Sequence, residues 1–479
     1  MSASLLAPAS PAPSAAEGEA FEVVSPIDGT VYARRRYAAG AEIEAALAAA
    51  ERAAPGWRAT PIEERIAVVA AFVAEMEKRA PALAEALARQ IGRPLWQADE
   101  MPRLKLVTGL AATAAAEVLA DKTYPADAGI RRYVRREPLG VMLSICAWNY
   151  PTAMLGLLVV EPLLAGNVVI LKHSPQTPVI AEIAAEAFAA SGGPAGVFQA
   201  LHMAHPDAEA IIASGRLGAV GFIGSVAGGR RVHAAAGGTF THVHLELGGK
   251  DPAYVRADAD LARAVPLLVE GAFSNAGQSC CSVERIYVHA DIRDRFVDAL
   301  TAEAATWTLG QPMQGTPHIG PVVRASAAAG IRERIADAVA RGARKTLADD
   351  RFGAAGLGPA YVEPQVLVDC DGAMPIMRDE LFGPVACVET VASDEAAIAR
   401  MNDSAYGLTA SVWSADIDRA EAIADAAVAG TVYVNRCDHA DLYLPWGGVK
   451  SSGLGRGNGR TGIERLTETK SFHVRARYV

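Results

Sequence analysis

Val141-Met-Leu-Ser-Ile-Cys146 runs straight into Ala147-Trp148-Asn149-Tyr150-Pro151, an apolar stretch followed by a polar loop that a proline closes. A short aliphatic run bounded in this way predicts a β-strand. Similar runs recur at 168–172, 197–201, 219–223 and 243–246, with helical stretches expected near 177–190 and 207–214. Strand and helix alternating at this spacing argue for an α/β fold built on a parallel, doubly wound sheet. Its ligand site is expected at the carboxyl ends of the strands. Asn149, Lys172, Gly224 and Glu246 all fall at or just after such an end.

Upstream, 41–58 and 63–90 carry the periodicity of Ala- and Leu-rich helices. Downstream, a second alternating block starts at Pro252. Its strands are expected at 285–289, 365–368, 386–391, 409–413 and 431–434. The segments 122–137 and 467–479 read as extended and polar-alternating, with nothing local to pair with. Two such strands would be an aggregation hazard, so a second subunit is expected to cover them.

Bulk properties narrow the classes. The chain of 479 residues exceeds what one hydrophobic core usually supports, so two or three domains are expected. A net charge of −9 and the lack of any large Lys/Arg cluster speak against a nucleic-acid partner. No uncharged apolar run reaches membrane-spanning length, since Glu161 interrupts the nearest one, so no membrane partner is expected. The six cysteines include no CxxC pair, so no metal site is expected, and a reducing, cytoplasmic setting fits. Residues 1–20, rich in Ala, Ser and Pro, read as a flexible tail.

The chemistry sits in three stretches. Gly277-Gln278-Ser279-Cys280-Cys281 offers a thiol, and Leu245-Glu246-Leu247-Gly-Gly249-Lys250 a carboxylate. Asn149 adds an amide able to stabilise an oxyanion. A nucleophile and a water-activating base are the minimum for covalent catalysis followed by hydrolysis. Taken singly, a Cys is more often a small buried hydrophobe and a Glu a solvated one. Three motifs at compatible spacing reverse those odds.

Together these stretches resemble the aldehyde dehydrogenase superfamily of the non-acylating Cys/Glu/Asn type, over almost the whole chain. The resemblance implies a small-molecule aldehyde as substrate, with Cys280, Glu246 and Asn149 as the catalytic set. It also implies NAD or NADP as cofactor, bound by Trp148, Lys172, Gly224, Ser225, Gly229, Leu247, Glu380 and Phe382. A substrate tunnel lined by Tyr150, Met154, Leu157, Ser279 and Cys281 follows from it too. Residues 21–121 and 141–247 would form the NAD(P)-binding domain, and 248–447 the catalytic domain. A β arm of 122–140 and 460–479 would build a homodimer or homotetramer. The family pattern, with an arginine five residues after the nucleophile, fits Cys280 and not Cys281.

Phe222-Ile223-Gly224-Ser225 is similar to the family's phosphate-binding signature, and Glu380-Leu-Phe382-Gly-Pro384 to its nicotinamide-ribose motif. Gly457-Asn-Gly459-Arg-Thr-Gly462 fits GxGxxG literally, but no apolar strand precedes it, and a plain glycine turn is the better reading. Three departures from the family stand out. Pro175 replaces a glutamate common in NAD-preferring members, leaving the choice between NAD and NADP open. Leu158 and Gly457 replace a lysine and a glutamate thought to relay the base's proton, so Glu246 needs another route, through water or Glu161, or deacylation is slower. Leu157, where relatives keep a bulky aromatic, suggests a roomier tunnel. Asp438 and Asp441 are expected to make the tunnel mouth acidic. A CoA-acylating enzyme is one alternative, which the presence of Glu246 opposes, and a catalytically silent member of the fold is another.

Overall fold

The computed structural model describes residues 18–475. Residues 1–17 of the expected tail and the last four residues of the expected arm lie outside the described residues. From Ala20 the chain is already ordered into a strand, paired antiparallel with Val31–Arg36.

Two parallel sheets dominate. The first has six strands in the order Gly453–Leu454, His242–Glu246, Ala219–Ile223, Val141–Cys146, Val168–His173 and Phe198–Ala200. All neighbours are parallel except Gly453–Leu454, which adds antiparallel at the edge next to His242–Glu246. The second has seven strands and centres on Asp251–Val255 and Val283–His289, with Arg344–Lys345 as its one antiparallel edge. Every residue of Val141–Cys146, Val168–His173 and Asp251–Val255 is buried, as expected of parallel strands covered on both faces. One apolar core encloses the six-stranded sheet, and two others pack on the seven-stranded sheet.

The helical stretch expected across 63–90 is two helices, Ile62–Lys78 and Ala80–Ile91, broken at Arg79. Pro81 falls in the first turn of the second helix, where its missing N–H costs nothing. Met101–Val118 is a further helix that the pattern did not flag. Its buried Leu104, Val107, Ala111, Ala115 and Val118 keep helical spacing, but small residues and threonines blur the polar contrast.

The two extended segments expected to lack a local partner pair with each other. Ile130–Pro138 runs antiparallel to Thr467–Arg475 over nine residues, with Lys122–Tyr124 on its other side and Tyr133 stacked on Phe472. The second strand of this sheet begins at Thr467 and not at 460. Gly459–Glu464 is instead a short helix, and Ile463 and Leu466 join the core of the six-stranded sheet. Among the described residues, no helix is long and apolar enough to cross a membrane.

Candidate active site

Strand ends deliver the polar groups. Val141–Cys146 ends four residues before Tyr150, His242–Glu246 ends at Glu246 itself, and Ala219–Ile223 hands over to Gly224. One cavity of about 360 Å³ collects them: Asn149, Glu246, Cys280, Cys281, Ser279, Tyr150, Met154, Leu157, Trp148, Gly224, Ser225, Leu247, Glu380 and Phe382 all line it. Lys172 and Gly229 are the two expected residues that do not. Arg103, Trp446 and Asn458, which sequence reasoning did not single out, line it as well.

The thiol loop is shaped by backbone geometry. Asn275 and Ala276 take left-handed conformations (φ 53° and 56°), turning the chain sharply before Cys280. Gly249 lets the other half of the site close in, since a Cβ there would sit 2.4 Å from the Cys280 carbonyl oxygen. Cys280 is half-buried; Cys281 is buried, and its thiol donates to Asp438 Oδ1 at 3.0 Å. The neighbouring Cys280 thiol and burial together push the Cys281 thiol well above its usual range. Ser279 Oγ donates to the same Asp438 oxygen at 2.8 Å.

Asp438 therefore does not make an acidic mouth. Although its residue is partly exposed, its carboxyl turns inward to these two donors, and burial pushes it up to about 7. Asp441 Oδ1 is engaged by the Tyr443 backbone amide.

Asn149 has two amide hydrogens. Nδ2 donates to the Gln278 carbonyl at 3.2 Å, which leaves one N–H without a protein partner among the described residues. Its loop is clamped by a buried ion pair invisible in the sequence. Arg93 meets Glu100 at 2.5 Å and also donates to the Asn149 carbonyl, while Glu100 Oε2 accepts from the Thr152 and Ala153 amides at 2.8 Å. The Arg93 guanidinium also covers one face of Tyr150, 4.3 Å from the ring centroid.

Glu246 is buried and neither carboxyl oxygen has a hydrogen-bond partner among the described residues. Burial holds its carboxyl well above the usual range, against the lowering pull of Arg465 and Arg456. Glu161 forms a buried pair with Arg465 at 3.2 Å and is pushed up to about 7 by burial. It makes no hydrogen bond to Glu246. Gly457 does more than turn the chain: a Cβ there would lie 2.5 Å from Leu157 Cδ1, so Leu157 fills the space a longer residue 457 would take.

The cofactor candidates fit a dinucleotide. Ser225 caps the eleven-residue helix Val226–Ala236, its Oγ accepting from Gly228 N at 3.2 Å, so the helix amino terminus is available to a phosphate. The Lys172 ammonium is buried and makes no hydrogen bond or ion pair among the described residues; burial lowers it to about 8. Glu284 accepts from the amides of Leu381 and Phe382 and pairs with Lys250 at 2.5 Å, fixing the Glu380–Phe382 loop. Phe382 stands edge-on to Trp148 at 5.5 Å. Burial and the charge of Glu284 push the Glu380 carboxyl up to about 8.

A thiol, a carboxamide and a buried carboxyl share one cavity beside a capped helix amino terminus. The model of the aldehyde dehydrogenase family matches residues 13–472, and the chain belongs to that family. It is an NAD(P)-dependent oxidoreductase of aldehydes. A betaine aldehyde dehydrogenase of Cereibacter sphaeroides is 35% identical to it over 466 residues, covering 95% of this chain and 94% of that protein. A betaine aldehyde dehydrogenase of Staphylococcus aureus solved with NAD+ superposes with a TM-score of 0.91 at 28% identity, over 97% of this chain and 94% of that one. An E. coli NADP-dependent enzyme does so with a TM-score of 0.90 at 31% identity, over 95% of each chain.

Proposed function

We propose that the enzyme oxidises an aldehyde to the carboxylic acid with Cys280 as nucleophile, Asn149 as oxyanion donor and Glu246 as hydrolytic base. The carrying observation is the convergence of a half-buried thiol, a spare amide N–H and an unpartnered carboxyl on one cavity. Cys280 sulfur adds to the aldehyde carbon, and the oxygen takes its charge against the Asn149 N–H and the Cys280 amide. Lys172, Ser225, Glu380 and their neighbours would hold NAD(P)+, which would supply the hydride acceptor. Water deprotonated by Glu246 then cleaves the thioester left on Cys280, releasing the acid.

The cavity favours a neutral aldehyde. A quaternary ammonium is bound by aromatic faces and full carboxylates. Here Arg93 occupies one Tyr150 face, Arg103 lines the cavity, and Asp438 turns its carboxyl to Ser279 and Cys281, with burial raising it to about 7. Reduced cofactor should form from neutral aromatic or aliphatic aldehydes with higher kcat/KM than from betaine aldehyde, and CoA should not raise the rate. A CoA requirement would favour the acylating alternative, and no turnover at all the silent one. Preference for betaine aldehyde would overturn the neutral-substrate reading.

Pro175, in the turn after Val168–His173, offers no carboxylate to the adenosine ribose, so discrimination between NAD and NADP should be weak. Pro175→Glu should shift the ratio of kcat/KM values toward NAD by about 1–3 kcal/mol, the range of a charged hydrogen bond. Rejection of NADP by several orders of magnitude in the unmodified protein would refute this. The arm supports a homodimer or homotetramer, because Thr467–Arg475 leaves one sheet edge unpaired among the described residues. The free cysteines fit a cytoplasmic setting.

A further inference from the structure

We propose that His244 is the positioning residue that shares the proton Glu246 removes from water, replacing the relay lost at Leu158 and Gly457. This rests on the reading of Glu246 as hydrolytic base.

His244 lies on the same strand as Glu246, and its Nε2 is 3.1 Å from Glu246 Oε1 with both side chains buried. Its Nδ1 lies 3.2 Å from the Leu454 carbonyl oxygen. A carbonyl only accepts, so Nδ1 carries the hydrogen and Nε2 turns its lone pair toward the carboxyl. A lone pair against a carboxyl oxygen is favourable only with a proton between them. The two groups are at hydrogen-bonding distance but out of line, and neither Nε2 nor either carboxyl oxygen has another partner among the described residues. A small rotation of the carboxyl therefore makes or breaks the contact, which is what a base alternating between water and an acceptor requires.

The charged groups around the pair are Arg465, Arg456 and Glu161. Arg465 is tied to Glu161, and Arg456 to the Gly448 and Gly455 carbonyls. Burial, then these two guanidiniums, hold the imidazole well below its usual range, whereas burial holds the carboxyl well above its own. Neither group is stable charged alone, so a proton taken from water is held between the two.

The steps balance. Water gives a proton to Glu246 as its oxygen bonds to the thioester carbon, the carbon–sulfur bond breaks, and the Cys280 thiolate and the acid result. The proton is then held between Oε1 and Nε2, and it returns to cavity water through the carboxyl once the acid has left.

The test follows reduced-cofactor formation by stopped flow in His244→Gln and His244→Ala across pH, with Glu246→Gln alongside. The burst rate should stay within about twofold, since attack precedes the proton's exit. Steady-state turnover should fall about tenfold, part of the roughly 10²–10⁴-fold that positioned proton transfer supplies. The acid limb should move, and imidazole should restore part of the His244→Ala rate. Unchanged turnover and pH profile in both variants would overturn the role of His244. So would a slow variant with an unmoved pH profile and no rescue, which marks a merely structural residue. If Glu246→Gln also turned over normally, the hydrolytic-base reading itself would fall; if it alone were slow, that reading would stand without His244.

Discussion

Cys280→Ala should lower aldehyde oxidation by about 10³-fold or more, because no other group can form the covalent intermediate. Cys281, one residue along, cannot substitute. Its thiol is buried, donates to Asp438 and is held well above the usual thiol range, whereas Cys280 is half-buried and opens into the cavity. Cofactor binding and the thermal transition should survive, since the sulfur fills a site on the cavity wall and not the core. Cys281→Ser should keep most of the turnover, with an altered substrate range because Cys281 lines the tunnel. The measurement is steady-state kcat/KM for both variants, with cofactor binding followed separately. An active Cys280→Ala beside a dead Cys281→Ser would shift the nucleophile by one residue.

Glu246→Gln should leave a fast burst of reduced cofactor and slow the steady state by roughly 10²–10⁴-fold, the usual yield of a positioned general base. The pH dependence follows from the direction of the carboxyl's shift. Only the ionised carboxylate can take a proton from water, and burial raises the pH at which it ionises. Deacylation in the unmodified enzyme should therefore climb as pH rises through that elevated value and flatten above it. The variant should lose this limb. A stopped-flow pH series on both proteins tests the sign: a rate that falls across the same interval would contradict it.

The strands of both sheets were the most legible part of the sequence. Val141–Cys146, Ala219–Ile223, Gln365–Val368, Thr409–Trp413 and Thr431–Val434 stand where the apolar runs predict, and the first, third and fourth are buried throughout, which calls for near-continuous apolar runs. The same signal failed for Met101–Val118, whose small-residue face lacks contrast. The proposed chemical residues were legible as motifs, and the structure brings Asn149, Glu246 and Cys280 to one cavity. What supports them was not. Arg93 and Glu100, or Lys250 and Glu284, are ordinary charges until folding buries them together. Asp438 read as part of an acidic mouth because nothing in its neighbours announces the two donors that turn it inward. His244 carries no motif of its own, and its contact with Glu246 depends on the local geometry and on the Gly453–Leu454 edge strand arriving from far along the chain.

Covalent catalysis on Cys280 with hydrolysis driven by Glu246 is the central claim, and intact-protein mass spectrometry tests it most directly. Glu246→Gln, mixed with a neutral aldehyde and NAD+ and quenched in acid, should carry one acyl adduct, mapped by peptide digestion to Cys280. The unmodified enzyme should show little of it. An adduct on Cys281, or none in a variant that still produces the burst, would contradict the account.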